Sequence, residues 1–256
     1  MTCCLTWSRH WLRPEFAPRR SVHSGRPVNF FDSTGQYMRH PFVKICCISS
    51  VAEAQLAIAC GAQALGLVSH MPSGPGVIAE DLITDIIRTV PPPVATFLLT
   101  SHIESDAIIL QHARCPASVL QLVDFVPHPE LRKLRRALPA TKLVQVVHVN
   151  GEEALEEAQA LAGLVDAILL DSGNQNLAVK ELGGTGRTHD WRISRQIREQ
   201  VPLPLFLAGG LGAHNVRDAV ASVQPFGLDL CSSVRSNGQL DVEKLAAFMA
   251  ALAAPQ

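Results

Sequence analysis

Between residues 42 and 253, short apolar runs alternate with stretches whose apolar positions recur every three or four residues. The runs fall at 43–48, 64–69, 94–100, 118–123, 142–149, 167–171, 204–208 and 227–231. Most are apolar almost throughout, the mark of parallel strands covered on both faces. The helical pattern lies between them, at 51–60, 79–90, 103–113, 129–138, 151–162, 190–200, 213–223 and 241–253. Punctuation agrees. Ser50 with Glu53, and Asn150 with Glu153, have capping-box spacing, and Gly61 and Gly163 follow the helices so begun. Pro129 suits a first helical turn, and Pro91 and Pro202 close two helices. Eight βα units in about 210 residues predict an α/β fold of (β/α)8 TIM-barrel type over 42–254. The competing doubly wound sheet would carry Gly-x-Gly-x-x-Gly at its first βα turn. That turn reads Cys46-Cys47-Ile48-Ser49-Ser50.

A barrel of this kind places its site at the C-terminal ends of the strands. The residues there are Cys46, Cys47, Ser69, His70, Thr100, Gln121, Val123, His148, Asp171, Gly209, Gly210, Ser232 and Ser233. Three turns of small residues follow late strands: Gly183-Gly184-Thr185-Gly186, Gly209-Gly210-Leu211-Gly212 and Cys231-Ser232-Ser233. Small residues let backbone N–H groups approach an anion closely. Together the turns predict one phosphate cradle and a small phosphorylated ligand. Each glycine turn also has an ordinary reading as tight-turn geometry. Asp171 ends an Ile-Leu-Leu run, so it is either reactive or a buried acceptor with partners. His148 is a mouth-facing histidine or a satisfied core one.

Composition narrows the classes. A net charge of −1 gives no global field for nucleic acid or an anionic membrane, and 5% aromatic content leaves little for stacking bases. No apolar segment approaches the roughly 20 residues that span a bilayer. The seven cysteines, at 3, 4, 46, 47, 60, 115 and 231, show no Cys-x-x-Cys spacing, and an odd count suits neither a disulfide framework nor structural zinc. A reducing compartment, the cytoplasm, is expected. Residues 1–41 differ: six arginines face one Glu and one Asp, with no sustained period. This extension reads as a solvated basic tail, a targeting peptide, or residues preceding a true start at Met38.

The ordered motifs resemble phosphoribosylanthranilate isomerases. Val43-Lys44-Ile45-Cys46, Ala52–Cys60 with Gly61-Ala62-Gln63-Ala64-Leu65-Gly66, Leu120-Gln121-Leu122 and Leu169-Leu170-Asp171 occur in the family's order. So do Gly183-Gly184-Thr185-Gly186, Asp190-Trp191, Leu207-Ala208-Gly209-Gly210-Leu211 and Asn215-Val216. The resemblance covers about residues 42–250. It implies an Amadori rearrangement of N-(5′-phosphoribosyl)anthranilate to a 1-deoxyribulose phosphate in tryptophan biosynthesis. It implies no metal or organic cofactor, and a monomer or homodimer is expected. Carried over, Asp171 is the acid that opens the ribose ring and Cys46 the base that takes the C2′ proton. Asp171 then needs a raised pKa and Cys46 a lowered one. Lys44, two residues before Cys46 on the same strand face, is a candidate aid to the thiolate. Gln121, His148 and Arg187 are further candidates for binding substrate.

Four positions depart from the family. Cys47 replaces a glycine. Gly74-Pro75-Gly76 stands where the family has Ser-Pro-Arg, whose arginine binds the anthranilate carboxylate. Val123-Asp124 replaces His-Gly, and Cys231-Ser232-Ser233-Val234-Arg235 replaces Ser-Ser-Gly-Val-Glu. Arg187 and Arg235 are the candidates to replace the missing arginine. Two other readings stand beside the isomerase: an enzyme acting on a different sugar phosphate, and a non-catalytic phosphometabolite-binding barrel.

Overall fold

The structure is a computed structural model describing residues 41–173 and 188–254. The basic stretch preceding Pro41, the Gly183–Gly186 turn and Arg187 lie outside the described residues.

Eight parallel strands close into a barrel in chain order. They are β1 (Phe42–Ile45), β2 (Ala64–Val68), β3 (Ala95–Thr100), β4 (Val119–Leu122), β5 (Lys142–His148), β6 (Ala167–Asp171), β7 (Leu205–Leu207) and β8 (Gly227–Leu230). The helices between and after them are α1 (Val51–Ala59), α2 (Glu80–Thr89), α3 (Ser105–Arg114), α4 (His128–Ala137), α5 (Glu153–Ala160), α6 (Trp191–Gln200), α7 (Val216–Val223) and α8 (Val242–Ala253). Each predicted strand and helix is present, with ends moved by a few residues.

Strand alternation splits the core in two. Val43, Ile45, Leu65, Leu67, Leu98, Leu120 and their like pack against the helices. Phe42, Cys46, Val68, Phe97, Leu99, Val123, Val146, Leu169, Phe206 and Ala208 form a separate buried cluster inside the barrel. Phe206 stacks edge-on with Phe42, Phe97 and Phe226, filling the barrel floor. Gly227 makes room for that ring: a Cβ there would stand 2.5 Å from it. The interior below the site is therefore packed with side chains, as the fold requires.

The Ser50 cap holds: its hydroxyl accepts from the Glu53 N–H at 3.1 Å. The Glu53 carboxylate reaches back to the Ser49 N–H at 2.9 Å rather than to Ser50. The Asn150 cap is corrected. α5 starts only at Glu153, behind Glu152, with no side-chain cap bond. Asn150, Gly151 and Glu152 are spent on the turn leaving β5, so the helix begins too late for Asn150 to cap it. The structure also adds a hairpin that the apolar pattern did not predict. β9 (Arg235–Ser236) and β10 (Gln239–Leu240) pair antiparallel. They are joined at Asn237 and Gly238, both in the left-handed region with φ of 52° and 79°, as a two-residue hairpin turn demands.

Candidate active site

The C-terminal ends of the strands surround one cavity, open to solvent on one side. Cys46, Gln121, Asp171, Gly209, Gly210, Ser232 and Ser233 line it, together with Cys47, Asp229 and Cys231. Val68, Met71, Leu99 and Val123 give one wall an apolar character.

The floor is charged. Lys44 is fully buried inside the barrel, its Nζ 2.8 Å from Asp229 Oδ1 and 5.3 Å from the centre of the Phe97 ring. The two residues are register partners on β1 and β8. Burial works against the Lys44 charge, but Asp229 and the neighbouring thiols outweigh it and raise the pKa, so Lys44 stays an ammonium. Gly66 completes this corner. A Cβ at that position would stand 2.8 Å from Cys46 Sγ and 3.1 Å from Lys44 Nζ.

The two titrating groups are shifted in opposite directions. Burial pushes the Asp171 carboxyl up to about 6, helped by the charge of Asp229; the Ser172 N–H, 2.7 Å from Oδ1, and the Lys44 charge oppose this. The Cys46 thiol is shifted down. The hydrogen bond from Cys47 lowers it most, burial opposes, and the Lys44 ammonium adds to the lowering. A carboxyl made less acidic and a thiol made more acidic thus face one cavity.

The late-strand turns form the other end. Gly209 and Gly210, with φ of 80° and 61°, adopt a conformation that disfavours a side chain. Asn215 shapes this turn, accepting from the Gly212 N–H at 2.8 Å and donating to the Gly210 carbonyl at 3.0 Å. After β8, Ser232–Val234 makes a single 3-10 turn. Ser233 Oγ is buried there with no hydrogen-bond partner.

Other candidates are placed differently. His148 is buried, Nε2 lies 3.3 Å from the Val123 carbonyl, and it does not line the cavity. Ser69 is sealed off, donating to the Leu99 carbonyl at 2.6 Å. Lys44 is fully buried and is not among the residues lining the cavity. Arg235 does not replace the missing arginine. Its guanidinium donates to Glu53 at 3.1 Å and to the carbonyls of Cys46 and Cys47 at 3.1 and 2.5 Å. Those carbonyls are the unpaired backbone groups that a sharp turn after β1 creates, and Arg235 satisfies them. Gln121 keeps a buried amide oxygen without a partner. The sequence reading missed Asp229, whose signal was a lone carboxylate two residues before Cys231 in an apolar strand.

The profile of the N-(5′-phosphoribosyl)anthranilate (PRA) isomerase family matches residues 43–251. N-(5′-phosphoribosyl)anthranilate isomerase 2 of Methanosarcina mazei is 35% identical over 210 residues, covering 81% of this chain and 92% of the relative. The crystal structure of phosphoribosyl anthranilate isomerase from Thermotoga maritima is 27% identical with a TM-score of 0.72, covering 83% of this chain and 98% of its own. Another solved isomerase, in complex with reduced 1-(o-carboxyphenylamino)-1-deoxyribulose 5-phosphate, is 26% identical with a TM-score of 0.69 over 83% of this chain and 98% of its own. With a closed barrel, a thiol and a carboxyl on one cavity, and this match along nearly all of the barrel, the chain belongs to the N-(5′-phosphoribosyl)anthranilate isomerase family.

Proposed function

We propose that this chain isomerises N-(5′-phosphoribosyl)anthranilate to 1-(o-carboxyphenylamino)-1-deoxyribulose 5-phosphate, the Amadori step of tryptophan biosynthesis. The observation that carries this reading is the pairing of Cys46 and Asp171 on one cavity with opposite pKa shifts. Asp171, as the neutral carboxyl, donates its proton to the ribose ring oxygen. The C1′–O bond breaks, leaving an iminium. Cys46, as the thiolate, takes the proton from C2′, giving an enolamine that settles to the ketone. No step calls for a metal or organic cofactor.

The phosphate is assigned to the turns after β7 and β8, where Gly209, Gly210 and Ser232 offer closely approachable backbone and Ser233 an unpaired hydroxyl. Gly183, Gly184, Thr185 and Gly186 complete the cradle in this reading. The aryl end is assigned to the wall of Val68, Met71, Leu99 and Val123, with the Gln121 side-chain NH2 as the donor to the ring carboxylate. A related isomerase holding a reduced aminodeoxyribulose phosphate favours this substrate over a different sugar phosphate or a non-catalytic ligand. Among the described residues no helix is long and apolar enough to cross a membrane. A cytoplasmic monomer or homodimer fits the reading.

Purified protein should convert phosphoribosylanthranilate, and its expression should rescue a tryptophan auxotroph lacking this step. Cys46→Ala and Asp171→Asn should each abolish turnover. Soluble, folded protein with no turnover and no rescue defeats the reading.

A further inference from the structure

Two more sulfur atoms meet across the junction of β1 and β8, and neither reacts in the isomerisation. Cys47 Sγ lies 2.9 Å from Cys231 Sγ. Both residues line the cavity; Cys47 is buried and Cys231 partly exposed. The backbone enforces this approach. Cys47 adopts φ of 62°, a left-handed conformation that disfavours any residue with a side chain. Gly76 packs against it so tightly that a Cβ there would stand 2.5 Å from Cys47 Cβ. Arg235, four residues after Cys231, grips the Cys46 and Cys47 carbonyls. The turn after β1 is thereby fastened to the segment after β8, with the two sulfurs facing.

We propose that Cys47 and Cys231 are a peroxide-sensitive dithiol, a modification site whose disulfide reversibly shuts the cavity. A disulfide has sulfurs at about 2.03–2.05 Å, so the pair must close by roughly 0.9 Å. The oxidant is hydrogen peroxide. Cys231, the more accessible thiol, attacks one peroxide oxygen as its thiolate. The O–O bond breaks, and Cys231 becomes a sulfenic acid while hydroxide leaves and takes up the proton that Cys231 had released. The Cys47 sulfur then attacks the sulfenic sulfur. The S–O bond breaks, and the departing hydroxide takes up the proton that Cys47 releases. Two thiols and one peroxide give one disulfide and two waters, and a small dithiol reverses the change. The bond removes the Cys47 thiol hydrogen, which helps to lower the Cys46 thiol, and it draws the Ser232–Ser233 turn toward β1. Loss of turnover therefore rests on the isomerase reading; formation of the bond does not.

The test treats the full chain with hydrogen peroxide, blocks remaining thiols under denaturing conditions, and maps peptides by mass spectrometry. The expected product is one linked peptide pair, lighter by two hydrogens, lost on reduction with dithiothreitol. Fragmentation between Cys46 and Cys47 should assign the link to Cys47. The link should persist in Cys46→Ser and vanish in Cys47→Ser and Cys231→Ser. A link assigned to Cys46, or oxidation to sulfinic acid without a link, overturns the proposal, and the wild-type map decides this even if a variant fails to fold. Turnover of phosphoribosylanthranilate should fall in proportion to the linked fraction and return on reduction. A link that leaves turnover intact overturns the shut-off. If reduced protein never turns over, the isomerase reading fails while the mapped link stands.

Discussion

Lys44 and Asp229 join the first strand of the barrel to the last through an ion pair of 2.8 Å whose side chains are 0% and 8% exposed. Breaking one half of such a buried pair strands the other charge, at a cost of about 3–5 kcal/mol. Asp229→Asn should lose that much in urea denaturation. Lys44→Met combined with Asp229→Leu should recover most of it, because no charge is then left buried. A double variant as unstable as the single one refutes this account.

Asp171 makes stability and activity depend on pH in a defined direction. Its folded pKa of about 6 lies above its ordinary 3.8, so between those values the native state holds more protons than the unfolded chain. Stability is then fullest below the ordinary value and falls as pH rises through the raised one, by up to about 3 kcal/mol. Asp171→Asn should remove that decline, leaving a variant more stable than the parent above pH 6 in denaturant titrations, yet inactive. In the parent, kcat/KM should fall as the free enzyme passes about pH 6. The limb in kcat should lie higher, since bound phosphate charge disfavours ionisation of the carboxyl.

Gly66 tests how closely the thiol and ammonium must sit. In Gly66→Ala the new methyl would press on Cys46 Sγ and Lys44 Nζ at 2.8 and 3.1 Å. A misplacement approaching 1 Å can cost on the order of 100-fold in rate, and overpacking about 1–3 kcal/mol in stability. Steady-state kinetics should show the loss in kcat, with KM little changed. An unaltered kcat would mean that Cys46 tolerates displacement.

Arg235 separates a clamp from a substrate contact. As a clamp, Arg235→Ala removes the cation from Glu53, which keeps the Ser49 and Leu240 N–H groups, and strips the Cys46 and Cys47 carbonyls of their donor; thermal or urea unfolding should show a loss of about 2–4 kcal/mol. An arginine that bound substrate would raise KM and leave unfolding unchanged.

The strands were legible because fully covered parallel strands carry almost unbroken apolar runs. Cys46, Asp171, Gly209–Gly210 and Ser232–Ser233 followed from strand ends, and the cavity gathers them. Asp229 escaped because one charge inside Leu228-Asp229-Leu230 looks like noise until its register partner is known. Lys44 on β1 posed the same question: each charge in an apolar strand demanded an opposite one. Arg235 stood as a candidate for the missing arginine because its partners lie far back in the chain, at Glu53 and the turn after β1. Asn237-Gly238 was the local signal for the hairpin that aims it. His148 met a carbonyl rather than the cavity, which alternation along β5 alone could not decide.

The pairing of β1 with β8 has a consequence for biosynthesis on the ribosome. Cys46 emerges early, but the carboxylate that neutralises its buried neighbour Lys44 emerges some 180 residues later. A nascent chain halted before β8 exposes two open sheet edges and an unmatched ammonium, so the reactive corner assembles only as translation nears completion. Prematurely terminated products should accordingly be inert and degraded, rather than partly active.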